Sequence, residues 1–261
     1  MTRSLLLIAL ACASLPGVAA PEAFSFSLGA WEYGIEGDLT SDGNKVEVFE
    51  QDEPGLDVQL FAQLPFESFG SPAIRARYLD VSARSDSRVT TSQSLLGIPV
   101  VAGNSDVDLD IDVEFYDLYL IWDWGDRLFI SGGVGLKAVD AQADATVVTT
   151  VNNPGPVPPP GTTRQTDQAE EDFGFTIPAL YLGGGYQVND WLTVQAEVDG
   201  LGDGDNRFLA GQALLRITPV KNFGIEAGWR VIDIQGKAGN NRLDVQADGP
   251  FLAAVVEFGG S

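Results

Sequence analysis

The sequence has no histidine and a single cysteine, Cys12, and each absence closes off chemistry. Without histidine there is no Ser-His or Cys-His relay and no imidazole metal ligand. With one thiol there is no disulfide framework. Bases are scarce too: 15 Lys and Arg stand against 37 Asp and Glu, a formal charge of −22. That balance argues against nucleic acid, whose binders cluster Lys and Arg, and favours divalent cations as counter-ions. Beyond the N-terminus, no apolar run approaches the roughly 18–20 residues of a membrane helix. Helical periodicity is nearly absent.

The N-terminal stretch MTRSLLLIALACASLPGVAA carries Arg3, an apolar run from Leu5 to Leu15 and small residues at Gly17–Ala20. This is the layout of a secretory leader, too short to span a bilayer stably. Cleavage is expected after Ala19, because cutting one residue later would leave Pro21 at the new terminus. A lipoprotein leader using Cys12 is the weaker alternative: Ala9 stands where that signal wants Leu, and Cys12 lies inside the apolar run. Residues 1–19 are therefore read as the leader and 20–261 as one domain. The mature part keeps 14 bases against 37 acids and no cysteine.

What the chain has is alternation. Period-2 patterning predicts ten strands, over 23–37, 54–65, 72–84, 105–123, 127–148, 172–188, 191–202, 206–218, 222–236 and 242–258. Long polar connections (38–53, 85–104, 149–171 with NNPGPVPPPG, 201–205, 237–241) alternate with short ones (66–71, 124–126, 188–190, 219–221). Long loops at one end and tight turns at the other, around an even strand number, predict an all-β, antiparallel up-and-down barrel of the outer-membrane type.

Within 106–122, DVDLDIDVEFYDLYLIW, the even positions are acidic from Asp106 to Glu114 and then become Tyr116, Leu118, Leu120 and Trp122. Similar switches occur after Ala30, Tyr78, Ala138 and Val231, and between Leu252 and Ala247, each roughly one hydrocarbon thickness from the short-turn end. A bulge in every strand would produce them. The simpler account keeps each strand regular and changes the solvent outside it, from lipid to water. The barrel then extends beyond the membrane on its loop side, with an acidic outward face there.

On this reading the lower lumen carries a charge network of Arg75, Arg77, Asp117, Asp123, Lys137, Glu197, Arg216, Glu226 and Arg230, with Gln195 and Asp199 beside it. Unpaired buried charge is costly, so these residues are expected to pair and plug a narrow lumen rather than line an open pore. Higher up, Trp31, Tyr33, Val107, Leu109, Ile111, Val113, Phe115, Phe173 and Phe175 turn inward. They either pack as a second core or line a site for a small apolar molecule.

The C-terminal DGPFLAAVVEFGGS alternates toward Phe258, the pattern of an outer-membrane assembly signal, and continues into Gly259–Gly260. Together with VDLDIDVEFYDLYLIWDW (107–124) and FTIPALYLGGGY (175–186), it resembles a family of proteobacterial outer-membrane β-barrels of uncharacterised function that end in an aromatic residue plus Gly-Gly. The resemblance implies an outer-membrane location after passage through the periplasm, with lipid, lipopolysaccharide and the barrel assembly machinery as partners. It supplies no catalytic or ligand residues. No enzyme activity and no cofactor are expected. Ca²⁺ or Mg²⁺ on the acidic outer face is the exception considered; DGLGDGDN (199–206) lacks EF-hand spacing and reads as a solvated turn. Structural or apolar-ligand roles compete with surface adhesion through cation bridging, and oligomeric state is not encoded in any recognisable pattern. A soluble periplasmic barrel is disfavoured by outward Phe24, Phe26, Leu118, Leu120, Trp122, Phe223 and Ile225.

Overall fold

The computed structural model describes residues 23–41, 44–48, 50–51, 54–64, 72–88, 93–95, 98–100, 105–152, 162–202, 206–238 and 241–259. The expected leader and the proline run at 154–160 lie outside the described residues. Strands are β1 (Ala23–Trp31), β2 (Gly34–Ser41), β3 (Asn44–Val48), β4 (Glu50–Gln51), β5 (Gly55–Gln63), β6 (Ala73–Arg88), β7 (Gln93–Leu95) and β8 (Ile98–Val100). They continue as β9 (Ser105–Gly125), β10 (Leu128–Asn152), β11 (Thr162–Asn189), β12 (Leu192–Gly202), β13 (Arg207–Val220), β14 (Phe223–Ala238) and β15 (Asn241–Gly259).

Ten of these close a ring in the order β1-β5-β6-β9-β10-β11-β12-β13-β14-β15, with β15 returning to β1. The closing pair runs from Ala23↔Gly259 to Trp31↔Phe251. Closure removes sheet edges and satisfies the backbone within the wall, which a structure in hydrocarbon requires. β2 carries the line of β1 upward along β15 and pairs with β3. β4 pairs with β6. These short strands, and the separate β7–β8 hairpin, fall in 38–53 and 85–104, where the sequence predicts loops. β11 likewise starts at Thr162, ten residues before the predicted position.

The strands pass through the switch regions without interruption of register. β9 pairs with β10 continuously from Gly125↔Phe129 to Ser105↔Thr149, and among the described residues the register shifts lie at the lower turns, near Gln187/Asn189 and Ile217/Val220. Regular alternation therefore puts Val107, Leu109, Ile111, Val113, Phe115, Asp117, Tyr119 and Ile121 on one buried inner face. The outer face changes from carboxylates to Tyr116, Leu118, Leu120 and Trp122. No bulge is involved. A 21-residue strand is about 70 Å long, far more than the 9–11 residues that cross hydrocarbon, so the upper half stands clear of the apolar belt.

That belt is dense. Leu118, Leu136, Leu180, Leu182 and Leu252 each leave about half of their surface uncovered. Trp124, Tyr186, Trp191, Phe223 and the Phe24–Phe258 pair ring its lower edge, and Tyr78, Tyr116 and Trp229 its upper edge. Aromatic girdles on both borders of an outward apolar band are what a bilayer's two interfaces favour. Above the belt the apolar residues point inward, into a core that runs from Trp31 through Phe115, Val147 and Phe208 to Phe251.

Candidate functional site: a lumen closed at two levels

Because β5, β6, β9, β10, β12, β13 and β14 are regular, their inward side chains converge at belt height. Arg77 donates to Asp57 from Nε (3.0 Å) and Nη2 (3.1 Å), and Arg230 Nη2 donates to the same carboxylate at 2.6 Å. Gln212 joins this group to the next: its Oε1 accepts from Arg230 Nε at 3.0 Å, and its Nε2 donates to Glu197 at 2.7 Å. Glu197 also receives Arg75 Nη1 (2.8–2.9 Å) and the Tyr181 hydroxyl (2.7 Å). Lys137 sits between Asp117 and Asp199, 2.8 Å from each, and Tyr119 donates to Asp199. Charge-assisted bonds in a confined lumen are strong and mutually orienting.

Arg75, Arg77, Asp117, Lys137 and Arg230 are buried. Arg216 pairs with Glu226 and reaches Glu257 at 3.2 Å, nearer the lower mouth. Asp123 stands apart at that mouth, exposed, accepting from Ser131. The nine charged residues predicted for the lumen all face inward, but Asp123 and the Arg216–Glu226 pair are not bonded into the central group. Asp117 and Asp123 do not converge, so they form no carboxylate dyad of the kind acid–base catalysis uses. Asp57, Gln212, Tyr119, Tyr181 and Glu257 were missed by sequence reasoning. For Asp57 the signal was present: Leu56, Val58, Leu60 and Ala62 alternate outward and leave Asp57 inward. Gly183 makes room for this packing, since a Cβ there would lie 2.6 Å from the Tyr181 hydroxyl.

The network meets the upper core directly. The Arg230 guanidinium lies over Phe251 (4.6 Å) and Trp31 (5.3 Å), and Lys137 Nζ lies 3.7 Å from the Phe208 ring centre. Such contacts stabilise desolvated cations. Above them Trp31, Tyr33, Val107, Leu109, Ile111, Val113 and Phe115 are at most 2% exposed and belong to one packed cluster. Trp31 Nε1 donates to Gly249 O, and the Tyr33 hydroxyl donates to Ser82 O. Phe175 packs against the cluster half-buried; the side chain of Phe173 lies outside the described residues. Phe258 faces outward beside Phe24.

The outer face above the belt places carboxylates opposite one another. Glu114 faces Asp80 and Asp140, Asp110 faces Asp144, and Asp144 faces Glu170. Arg84 meets Asp110 at 2.6 Å and Gln142 bridges to Glu170 at 3.0 Å, but most of the acids face like charge. Partial burial raises the Asp80 and Asp112 carboxyls above the ordinary aspartate value; repulsion adds to it, from Glu114 at Asp80 and from Asp110, Asp144, Asp80 and Glu114 at Asp112. The folded state thus holds these protons more tightly than the unfolded chain. Their contribution to stability is fully present below the unfolded aspartate value of about 4 and is lost as pH rises through the folded values. Unfolding in micelles should therefore need more urea at pH 5 than at pH 7. Among the described residues no group of acids forms a metal-binding cluster.

No protein-family profile matches the sequence, and no curated protein matches it. Solved structures do. The outer membrane protease OmpT from Escherichia coli superposes with a TM-score of 0.56 at 9% identity, covering 94% of this chain and 99% of that one. Ail, the attachment invasion locus protein of Yersinia pestis, gives 0.36 at 13% identity over 92% and 100%. The P. putida toluene transporter TodX gives 0.32 at 10% over 93% and 92%. The last two are too loose to align any site, and identities this low carry no function. Closed ring, apolar belt and superposition agree on one conclusion: this chain has the fold of a bacterial outer-membrane β-barrel.

Proposed function

We propose that the protein is a non-enzymatic, integral outer-membrane barrel whose role is structural, a closed wall extended above the membrane rather than a pore. It reaches the membrane through the periplasm after losing residues 1–19, and its Phe258–Gly259–Gly260 ending, which resembles that of the aromatic-Gly-Gly barrels, is its address to the assembly machinery. One observation carries the reading: the lumen is filled twice, by the Arg77–Asp57–Arg230 and Lys137–Asp117–Asp199 groups and by the apolar core above them. A small apolar molecule bound among Trp31, Tyr33 and Phe115 would have to part side chains that already touch. The absence of histidine supports the non-enzymatic half. The test is planar-bilayer conductance of the refolded barrel, with and without an added aromatic hydrocarbon. Electrical silence in both is the expected result, and steady ion-conducting steps would overturn it.

A second reading rests on the facing carboxylates of β6, β9, β10 and β11: bridging to lipopolysaccharide phosphates through Ca²⁺ or Mg²⁺, which favour oxygen ligands. Two anionic surfaces approach only with cations between them. On this reading millimolar Ca²⁺ raises the melting temperature and a chelator reverses it; an unchanged melting temperature removes the reading.

A further inference from the structure

Above the belt the ladder of β11 is one-sided. β12 stops at Gly202 and turns back into β13, so its pairing with β11 ends at Leu180↔Gly200. β10 stays beside β11 up to Asn152↔Thr162. Gln187 donates its N–H to Arg127 O at 2.7 Å, and the β10–β11 register then runs without a shift from Tyr186 to Thr162. Odd residues of β11 therefore turn N–H and C=O toward β10, and even residues turn theirs the other way. Up to Leu180 that other side is β12. Beyond it, among the described residues, nothing bonds there. Thr166, Gln168, Glu170, Asp172, Gly174 and Thr176, all exposed, present a row of unmet backbone donors and acceptors. Pro178, which has no N–H, falls on the same parity, where a strand edge tolerates it.

We propose that this edge takes up an extended segment of a partner protein, basic and apolar residues in alternation, antiparallel to β11 on the line that β12 leaves. An open edge is a template for another strand. Its unmet groups repeat roughly every 7 Å, a spacing that an extended backbone matches and an ion or a lipid head does not. Guest residues bonded to β11 lie opposite its even positions and share the outer face with Glu170 and Asp172. Asp144 of β10 faces Glu170 there, and Asp140 lies two residues lower on the same face. Opposite charges across a sheet stabilise, so these guest residues are basic. The guest residues between them turn inward beside Ala169, Phe175 and Ile177 at the flank of the upper core, so they are apolar. A second copy of this chain does not fit. Two barrels in one membrane point the same way, so their β11 edges cannot meet antiparallel, and each chain carries a formal charge of −22. The inference is independent of the closed-wall reading, because the seal lies within the lumen and the edge lies on the outer rim.

The experiment uses the full barrel in nanodiscs of zwitterionic lipid and a labelled alternating Lys-Val peptide of about eight residues. Two isomers of the peptide share its charge and apolar content. One is N-methylated at the lysines, whose N–H groups would face β11, and the other at the valines, whose N–H groups would face away. Fluorescence anisotropy should show saturable binding of the plain and valine-methylated peptides, weakened ~10-fold or more for the lysine-methylated one. Amide exchange at Gln168, Glu170, Asp172 and Gly174 should slow on binding, and that at Asp167 and Ala169, already bonded to β10, should not. Gln168→Pro removes an edge donor without touching the β10 ladder; it should weaken binding and leave the heat-dependent gel shift of the folded barrel unchanged. Equal affinity of the two methylated isomers would mean attraction by charge alone and overturns the site. An alternating Glu-Val peptide that binds as tightly overturns the basic partner. No saturable binding overturns the proposal, and concentration-dependent protection of the same amides without peptide assigns the edge to a second copy instead.

Discussion

Lys137→Met is expected to lower the unfolding free energy of the barrel by about 3–5 kcal/mol, the usual consequence of removing one partner from a buried ion pair. The size follows from burial. Lys137 is 2% exposed, and it compensates two carboxylates, Asp117 and Asp199, each 2.8 Å away. Without it both face each other in a confined lumen, with Tyr119 as a donor to only one of them. The triple variant Lys137→Met/Asp117→Asn/Asp199→Asn should recover most of the loss, because it removes the orphaned charge rather than the pair alone. Arg207→Met is the control. Its bond to Asp233 is also 2.8 Å long, but Arg207 is half exposed, and pairs of that kind contribute about 0–1 kcal/mol. Urea unfolding in micelles, followed by tryptophan fluorescence, separates the two cases. Equal losses for Lys137 and Arg207 would mean that the lumen is wet and the seal imaginary.

Val134→Arg should cost about 2–4 kcal/mol, the penalty for a basic side chain on the lipid face near mid-bilayer. Val134 points outward from β10 at the middle of the belt, opposite Leu120 and Leu180. Asp144→Arg places the same side chain on the same face of the same strand, ten residues higher. It should cost nothing there and relieve repulsion, since Asp144 is flanked by Asp110 and Glu170 and like charges across a sheet destabilise by a few tenths to about 1 kcal/mol. Opposite signs for the same introduced side chain at two heights on one strand face are what a change of solvent along that face predicts. Equal costs would point to a single environment along the whole strand.

The ring was legible because alternation is rigid. Once Leu118 and Leu120 face lipid, Asp117 and Tyr119 must face the lumen, and the inner charges follow from parity alone. Extra-membrane structure was less legible. TTRQTDQAEED (162–172) has no apolar stripe, yet it is strand, because β10 continues beside it to Asn152↔Thr162 and pairs with its backbone. Water on the outer face removes the need for the apolar signal that marks a membrane strand. β4, two residues long, is too short to show alternation at all, whereas β3 carries Val46 and Val48 in alternation within a stretch read as loop. The pairings inside the lumen were illegible for a different reason: Asp57 meets Arg230 across 173 residues of chain. Which charge meets which depends on how far the strands stagger around the ring, and no local pattern records that.

The central claim is that a regular β9 crosses from lipid to water between Tyr116 and Glu114. With Cys12 in the expected leader, single cysteines can be placed on the mature chain without background. Spin labels at 110, 112, 114, 116, 118 and 120 in nanodiscs would sample one outward face at successive heights. Collisional relaxation by a water-soluble nickel chelate should dominate at 110, 112 and 114, and relaxation by oxygen at 118 and 120, with the crossover at 116. Uniform accessibility along all six positions, or low accessibility to both reagents at 110, 112 and 114, which a bulge would impose by turning them into the lumen, would contradict the account.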